Sequence, residues 1–436
     1  MVEMMRWFDW NKCTLRKPNQ VFLKFAASIL LMGLAFRLFS SRSVEVSSDV
    51  ETPFVASSLS PDTPIAATKQ SPDEIPKAAQ QIPQKEKCDI FTGDWIPTRS
   101  EPIYTNATCR YIEGHQNCMM NGRPDSGYLY WRWSPRDCEL RQFEAENFLE
   151  LMRNKSWALI GDSISRNYVQ SLLCILSKVE EAIEVYHDEE YKSRRWNFPS
   201  YNFNVSVIWS PFLVKAATFE DMNGVSTSDI ELHLDELDKK WVDQYRSLDY
   251  IIISGGKWFL KTAIYYMKNK IVGCHYCPGK NLTELGFEYA YRKALQLVLN
   301  FIATSTKHKG LVFFRTVTPD HFENGEWSNG GTCKRTVPFK EGEVSLKDVD
   351  ATFRSIELEE FEKAAAVASK HGVKLRLFDT TQLSLLRPDG HPGPYRQFHP
   401  FANDRNAKVQ NDCLHWCLPG PIDSWNDLVM EMVVNG

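Results

Sequence analysis

The chain has 436 residues, 43% of them hydrophobic, with 51 Lys and Arg against 55 Asp and Glu for a net charge of −4. That length can bury one large core or two, and so even a charge balance excludes a global basic field for nucleic acid. Eleven cysteines and thirteen tryptophans are many for a cytosolic enzyme.

In chain order, residues 25–36 (FAASILLMGLAF) come first, apolar and uncharged between Lys24 and Arg37. Extended to residues 21–39, with both basic side chains reaching the interfaces, the stretch can span a thin bilayer. Arg6, Lys12, Arg16, Lys17 and Lys24 precede it, which places residues 1–20 in the cytosol and the rest in the secretory lumen. A cleaved signal peptide is the competing reading. The long leader and the lack of a small-x-small site favour the signal anchor of a single-pass type II membrane protein. Residues 40–87 are rich in Ser, Pro, Glu, Gln and Lys, with Phe54 their lone aromatic. They read as a disordered stem.

A luminal domain is expected over 88–436, with a Cys- and Trp-rich part at 88–150 and a core at 151–436. Cys88, Cys109, Cys118, Cys138, Cys174, Cys274, Cys277, Cys333, Cys413 and Cys417 follow the apolar segment, an even number in an oxidising compartment, and read as disulfides. The C-x-x-C of Cys274 and Cys277 has no second pair, so a short-range disulfide or free thiols are favoured over zinc. His115 near Cys118, and His275 within that C-x-x-C, likewise make no convincing metal site. Asn106, Asn204 and Asn281 are glycosylation candidates; Asn154 also carries the motif but lies tight against the next strand.

Trp157-Ala158-Leu159-Ile160-Gly161-Asp162-Ser163 reads as a short buried strand ending at Ile160, a glycine turn, and a helix beginning just after Ser163. Unpaired N–H groups at a helix start stabilise oxyanions, so Ser163 is well placed for a nucleophile. Ordinary helix capping by Asp162 and Ser163 is the plainer reading of the same residues. Residues 250–254, 311–315 and 375–379 read as further buried strands, with helical spacing over 284–304 and 355–371. Apolar strands separated by helices argue an α/β fold whose mainly parallel sheet is covered on both faces. Ligands bind beyond the carboxyl ends of such strands. Ser163, Gly255–Gly256 and Arg315–Thr316 should therefore share one crevice.

Asp412 and His415 stand three apart near the C-terminus, between Cys413 and Cys417. A serine nucleophile needs a base, and that histidine needs a carboxylate to hold its tautomer. Disulfides from the two cysteines to distant parts of the domain would hold the pair rigid. Alone, His415 is more readily a structural histidine.

Strand–Gly-Asp-Ser together with a C-terminal Asp-x-x-His resembles the GDSL/SGNH hydrolase superfamily. GDSISRN, CDIFTGDW, HQNC, GRPD, YLYWRW, FRTVTPDHFENGEW and DCLHWCLPGPIDSWND are similar to the plant trichome-birefringence-like proteins, which are Golgi polysaccharide O-acetyltransferases. The resemblance covers 88–436 and implies a three-layer α/β/α domain. It implies Ser163 as nucleophile, His415 as base then acid, and Asp412 as its orienting partner. An acetyl-serine intermediate would pass its acetyl group to a sugar hydroxyl, with the Ser163 N–H and a Gly255 or Gly256 N–H facing the oxyanion. Two departures stand out. Gly256-Lys257-Trp258 replaces the family's usual Gly-His/Gln-Trp, and Lys257 is expected to face solvent. The superfamily's oxyanion Asn is missing; Arg315, Thr316 and His321 occupy that region. Arg166 and Asn167 are expected to order the turn rather than touch acceptor. Trp131, Trp133, Trp258 and Trp327, in loop-like motifs, are candidates for stacking on sugars.

The function expected is acetylation of a hemicellulose, xyloglucan or mannan before xylan, in the Golgi. The alternatives are an acetyl-esterase, in which water takes the acetyl group, and a non-catalytic polysaccharide-binding protein. No Gly-rich nucleotide cradle is visible, so no tightly bound cofactor is expected. The donor would be acetyl-CoA or a carrier served by a membrane partner.

Overall fold

A computed structural model describes residues 88–217 and 228–435. The expected cytosolic tail, signal anchor and stem lie outside the described residues. Among the described residues no helix is long and apolar enough to cross a membrane.

The domain opens with β1 (Gly93–Pro97) and β2 (Trp131–Pro135), an antiparallel pair with Trp95 opposite Trp133. Helix α1 (Ala145–Leu151) leads into β3 (Ser156–Gly161), and α2 (Ser163–Leu176) begins directly after Asp162. Strands β4 (Ile183–His187), β5 (Arg194–Phe198), β6 (Phe203–Trp209), β7 (Val214–Ala217) and β8 (Ile230–Leu237) follow. Next come β9 (Tyr250–Ile253), β10 (Ala263–Met267), β11 (Lys270–His275) and the long helix α3 (Gly286–Thr304). The remainder is β12 (Leu311–Arg315), α4 (Asp348–His371), β13 (Lys374–Phe378) and α5 (Ser424–Val434).

The central sheet has the order β13-β12-β9-β3-β6-β5-β4 among the described residues. From β13 to β6 all pairs are parallel; β5 and β4 join antiparallel at one edge. Side chains alternate between the two faces, as the period of a strand requires. Trp157 and Leu159 of β3, Ile252 of β9 and Phe313 of β12 pack on one side with α1, α2 and α5. Ala158 and Ile160, Ile251 and Ile253, and Val312 and Phe314 pack on the other with α3, α4 and part of a second sheet. That is the three-layer arrangement expected. Trp157, 1% exposed, stacks on Tyr250 at 4.9 Å and lies parallel to Phe313 at 6.3 Å, which joins three neighbouring strands on one face.

The three later strands fall within a residue of their expected positions. Helix α4 starts seven residues before the expected 355, because its first turns are polar and are held by buried Asp350 rather than by an apolar stripe. The second sheet, β11-β10-β8-β7, and the β5–β4 edge were not foreseen. Their strands are short, and in β8 buried residues alternate with half-exposed ones, so no long apolar run announces them. Trp131 and Trp133 lie in β2 and not in a loop. Trp133 is core, 3% exposed, with its indole N–H on the Ile90 carbonyl at 2.9 Å.

All ten candidate cysteines are paired: Cys88–Cys138, Cys109–Cys174, Cys118–Cys417, Cys274–Cys277 and Cys333–Cys413. The N-terminal part is bound to the end of the chain by more than these links. Trp95 donates to the Leu383 carbonyl at 2.8 Å, and Arg387 lies over the Trp95 ring at 4.3 Å. Tyr104 and Ser171 each donate to Asp423 Oδ1 at 2.6 Å, while the Gly420 N–H donates to Oδ2 at 2.8 Å. Asp423 thus joins the N-terminal part, α2 and the start of α5. Burial raises its pKa to about 6.

Asp423→Ala should leave these three buried donors without an acceptor and lower stability by roughly 3–5 kcal/mol. A shift of the urea midpoint with disulfides intact measures it; a loss below about 1 kcal/mol would refute this role.

Candidate active site

β3, β9 and β12 end side by side, so the turns after them meet at one edge of the sheet. At the end of β3, Gly161 has φ +156°, and a methyl group there would stand 2.7 Å from Ser165 Oγ and from the Ser254 carbonyl oxygen. The chain can turn this tightly only without a side chain. Asp162 caps α2 by accepting the Ile164 N–H at 3.0 Å, which leaves half-buried Ser163 as the first helical residue. Capping and a nucleophile's position are therefore compatible here. Burial raises the Asp162 pKa, opposed by the Arg315 and His415 charges.

Asp412 is 1% exposed and accepts three hydrogen bonds from the segment that follows it. The Leu414 and His415 N–H groups reach Oδ1 at 3.1 and 2.9 Å, and His415 Nδ1 donates to Oδ2 at 2.8 Å. Burial alone would raise the carboxyl's pKa, but the His415 charge and these donors hold it well below the usual carboxylate range. For His415, burial lowers the pKa, yet the Asp412 charge and hydrogen bond outweigh it and the net shift is upward. With Nδ1 committed to Asp412, Nε2 is the ring nitrogen left to take a proton.

Asn167, one turn after Ser163, connects the two halves. Its Oδ1 accepts the Trp416 N–H at 2.7 Å and its Nδ2 donates to the Trp416 carbonyl at 3.2 Å. Arg166 donates to both carboxylate oxygens of Glu113 at 3.0 and 2.9 Å. Asn167 thus ties α2 to the loop after Asp412, and Arg166 ties it to the N-terminal part. The parallel ladder ends where the Ser254 N–H meets the Ile160 carbonyl at 3.0 Å. Gly255 and Gly256 lie just beyond, and a methyl on Gly256, φ +159°, would stand 3.5 Å from Asp162 Oδ2. The second loop therefore borders the Ser163 turn.

Arg315 is 2% exposed and does not face an acceptor sugar. It donates to Ser254 Oγ at 2.7 Å and to Thr318 Oγ1 and the Thr316 carbonyl at 2.9 Å; Ser254 Oγ in turn lies 3.3 Å from Ser165 Oγ. Burial lowers its pKa, and the Asp162 and Glu357 charges oppose that. His321 is also buried: Nε2 lies 2.8 Å from the Leu385 carbonyl oxygen, and Nδ1 is 2.7 Å from His391 Nε2. Both act from behind the crevice. Trp258 is half-buried, edge-on to Trp209 at 5.2 Å, with the Lys261 ammonium 3.8 Å above its ring.

Lys257 overturns an expectation. It does not face solvent; its side chain is 16% exposed and bonds Asp320 at 2.6 Å and Asp350. Burial works against its charge, but the two carboxylates raise its pKa. It joins the loop after β9 to the loop after β12 and to α4.

Two contributors were missed. His391 Nδ1 lies 2.7 Å from the His415 carbonyl oxygen and its ring stacks on Trp416 at 4.4 Å. A His in a Gly/Pro-rich loop carries no sequence signal for that. Glu357, inside α4, accepts the Val317 N–H on both oxygens, at 3.1 and 2.9 Å, and the Tyr291 hydroxyl at 2.5 Å. A glutamate in a charged helix reads as surface. Among the glycosylation candidates, Asn281 is exposed, whereas Asn204 lies in β6, half-buried against Asn197. Cys274, Cys277 and Glu284 cluster as metal ligands do, but the disulfide between the cysteines uses both sulfurs.

Residues 140–432 match the GDSL/SGNH-like acyl-esterase family found in Pmr5 and Cas1p, and residues 86–139 match the PMR5 N-terminal domain. The chain is 58% identical to protein trichome birefringence-like 25 of Arabidopsis thaliana, over 96% of this chain and 93% of that one. It is 60% identical to trichome birefringence-like 26 of the same plant, over 80% and 78%. Against xyloglucan O-acetyltransferase 1 of Populus trichocarpa the identity is 46%, over 81% and 82%.

The buried acids set a pH dependence. Burial raises Glu357 to about 8 and Asp427, which accepts the Phe143 N–H at 2.7 Å, to about 7. Both hold protons in the folded state that the unfolded chain releases near its ordinary carboxyl pKa, and His415 is likewise raised. These contributions are lost as pH rises through the folded values. Buried His321 and His391, lowered to about 4 and 3, act only below their ordinary range. Stability should therefore fall by about 2–3 kcal/mol between pH 6.5 and 8.5, read as a falling melting temperature. Glu357→Gln should flatten the slope; a rise with pH would refute the account.

Proposed function

Because this chain belongs to the GDSL/SGNH-like acyl-esterase family of the trichome-birefringence-like proteins, we propose that it acetylates a hemicellulose hydroxyl through an acetyl-serine. Ser163 Oγ attacks the donor's acetyl carbon while His415 Nε2 takes the hydroxyl proton; the proton then leaves with the donor's departing group. A sugar hydroxyl next gives its proton to His415 and attacks the acetyl carbon, and Ser163 Oγ leaves with that proton. The oxyanion of each tetrahedral intermediate faces the Ser163 N–H and the Gly255–Gly256 loop. Asp412 stays ionised throughout and stabilises the imidazolium.

One observation carries this reading: the Asp412–His415 pair is held by Asn167 to the helix that begins at Ser163. The xyloglucan O-acetyltransferase relatives favour xyloglucan over mannan as acceptor. The Golgi lumen, reached through the segment at 21–39, is where such a glycan would be met. The donor is acetyl-CoA or an acetyl group delivered by a membrane partner.

Mass spectrometry of the luminal domain, given acetyl donor and then xyloglucan or glucomannan oligosaccharides, tests this. An acetyl group should appear on the Ser163 peptide and pass to the sugar, and Ser163→Ala should abolish both. Acetate release without modified sugar would make the protein an esterase. Intact function in Ser163→Ala would leave a binding protein. Asp412→Asn should lower turnover on the order of 10⁴-fold through the wrong His415 tautomer; a loss under tenfold would remove Asp412 from the mechanism.

A further inference from the structure

We propose that Trp327 is the platform on which the acceptor sugar stacks beside His415, and that its occupation decides whether the acetyl group goes to sugar or to water. The inference rests on the acetyl-serine reading for its second half only. Among the described residues Trp327 is the one tryptophan that is exposed, at 37%. Its ring stands 6.3 Å from the His415 ring at 73°, so it forms an upright wall next to the base. An exposed indole costs water contact and marks a binding surface when it borders a reactive centre.

The wall is built to stay in place. The Arg396 guanidinium lies 4.8 Å from the indole centre, and Phe322 meets the ring edge-on at 6.2 Å. Arg396 Nη1 donates to Gln410 Oε1 at 2.7 Å, and Gln410 Nε2 donates to the Trp327 carbonyl at 3.1 Å. The loop bearing Trp327 is closed at its base by paired Glu323–Thr332 hydrogen bonds of 2.6 and 2.8 Å. Next to that base, the Cys333–Cys413 disulfide fastens the loop to the residue after Asp412. Platform and base therefore move as one unit.

A pyranose ring presents C–H groups on its faces and hydroxyls at its rim. Stacked on the indole, it keeps its hydroxyls free at the edge nearest His415, where one can give up its proton. With the face covered, water is displaced from the same space, and the acetyl-serine reacts with sugar. Trp133 is core, and Trp258 is half-buried against Trp209 and Phe212 rather than beside His415, so neither offers an equivalent surface beside the base.

Two measurements separate this from the reading beneath it. Calorimetric titration of xyloglucan oligosaccharides into the Ser163→Ala protein should show at least tenfold weaker binding when Trp327→Ala is added, with Trp327→Phe in between. In the Ser163 protein, Trp327→Ala should raise the ratio of released acetate to acetylated sugar at least tenfold. An unchanged melting temperature shows that the fold is kept. Equal affinity and an equal ratio in parent and Trp327→Ala would overturn the inference. Weakened binding with no Ser163 acetylation even in the parent would uphold the platform and overturn the acetyl-serine and the partition that rests on it.

Discussion

The clamp between Asn167 and the Trp416 backbone is the contact on which the candidate site depends. Ser163 and His415 lie far apart in sequence, on a helix start and on an irregular loop. Neither element alone has a reason to meet the other. A primary amide offers one donor and one acceptor in a plane, so it can satisfy both backbone groups of a single residue and fix its orientation. Placing that amide one helical turn after Ser163 gives Ser163 and His415 a common rigid reference. The remaining supports converge on the same loop: His391 holds the His415 carbonyl, and disulfides from Cys118 and Cys333 reach Cys417 and Cys413. The N-terminal domain thereby becomes part of the site's foundation, although it supplies none of Ser163, Asp412 and His415.

Beneath the crevice lies a buried polar layer that a simple hydrophobic sheet end would lack. Arg315 reaches Ser254, and Ser254 reaches Ser165, so one guanidinium spans the turns after β12, β9 and β3. Glu357 supports the next turn through Val317 and Tyr291. Buried charge is costly unless every donor and acceptor is used, and here the partners are largely the backbone and hydroxyls of the loops themselves. The consequence is specificity of loop position rather than net stability. Lys257 acts in the same way at the rim, where two carboxylates hold it in place of solvent.

These arrangements fit the proposed double displacement, in which the acceptor has to be chosen. A serine–histidine–aspartate set cleaves or transfers with equal ease, so the choice lies in what covers the acyl group. The Trp327 loop and the disulfide beside Asp412 place an aromatic wall and the base on one support. On the proposed mechanism, acceptor choice and proton transfer are then mechanically linked.

By itself the sequence determined the α/β class, the strand–Gly-Asp-Ser–helix turn, the Asp412–His415 pair and the cysteines that form disulfides. These are local or compositional: an apolar run, a glycine turn, a three-residue spacing, an even cysteine count. Helix α4's early start, the second sheet and the β5–β4 edge had no such mark, because polar first turns and one-sided strands resemble loops. Apart from the short-range Cys274–Cys277 link, tertiary structure alone decided which cysteines pair, and that His391 and Glu357 carry the site from behind. It also decided that Arg315 and His321 are supports and that Lys257 is buried. The physical reason is common to all of these. A charged or imidazole side chain carries no sequence sign of burial, and its role is set only when distant segments bring it a partner.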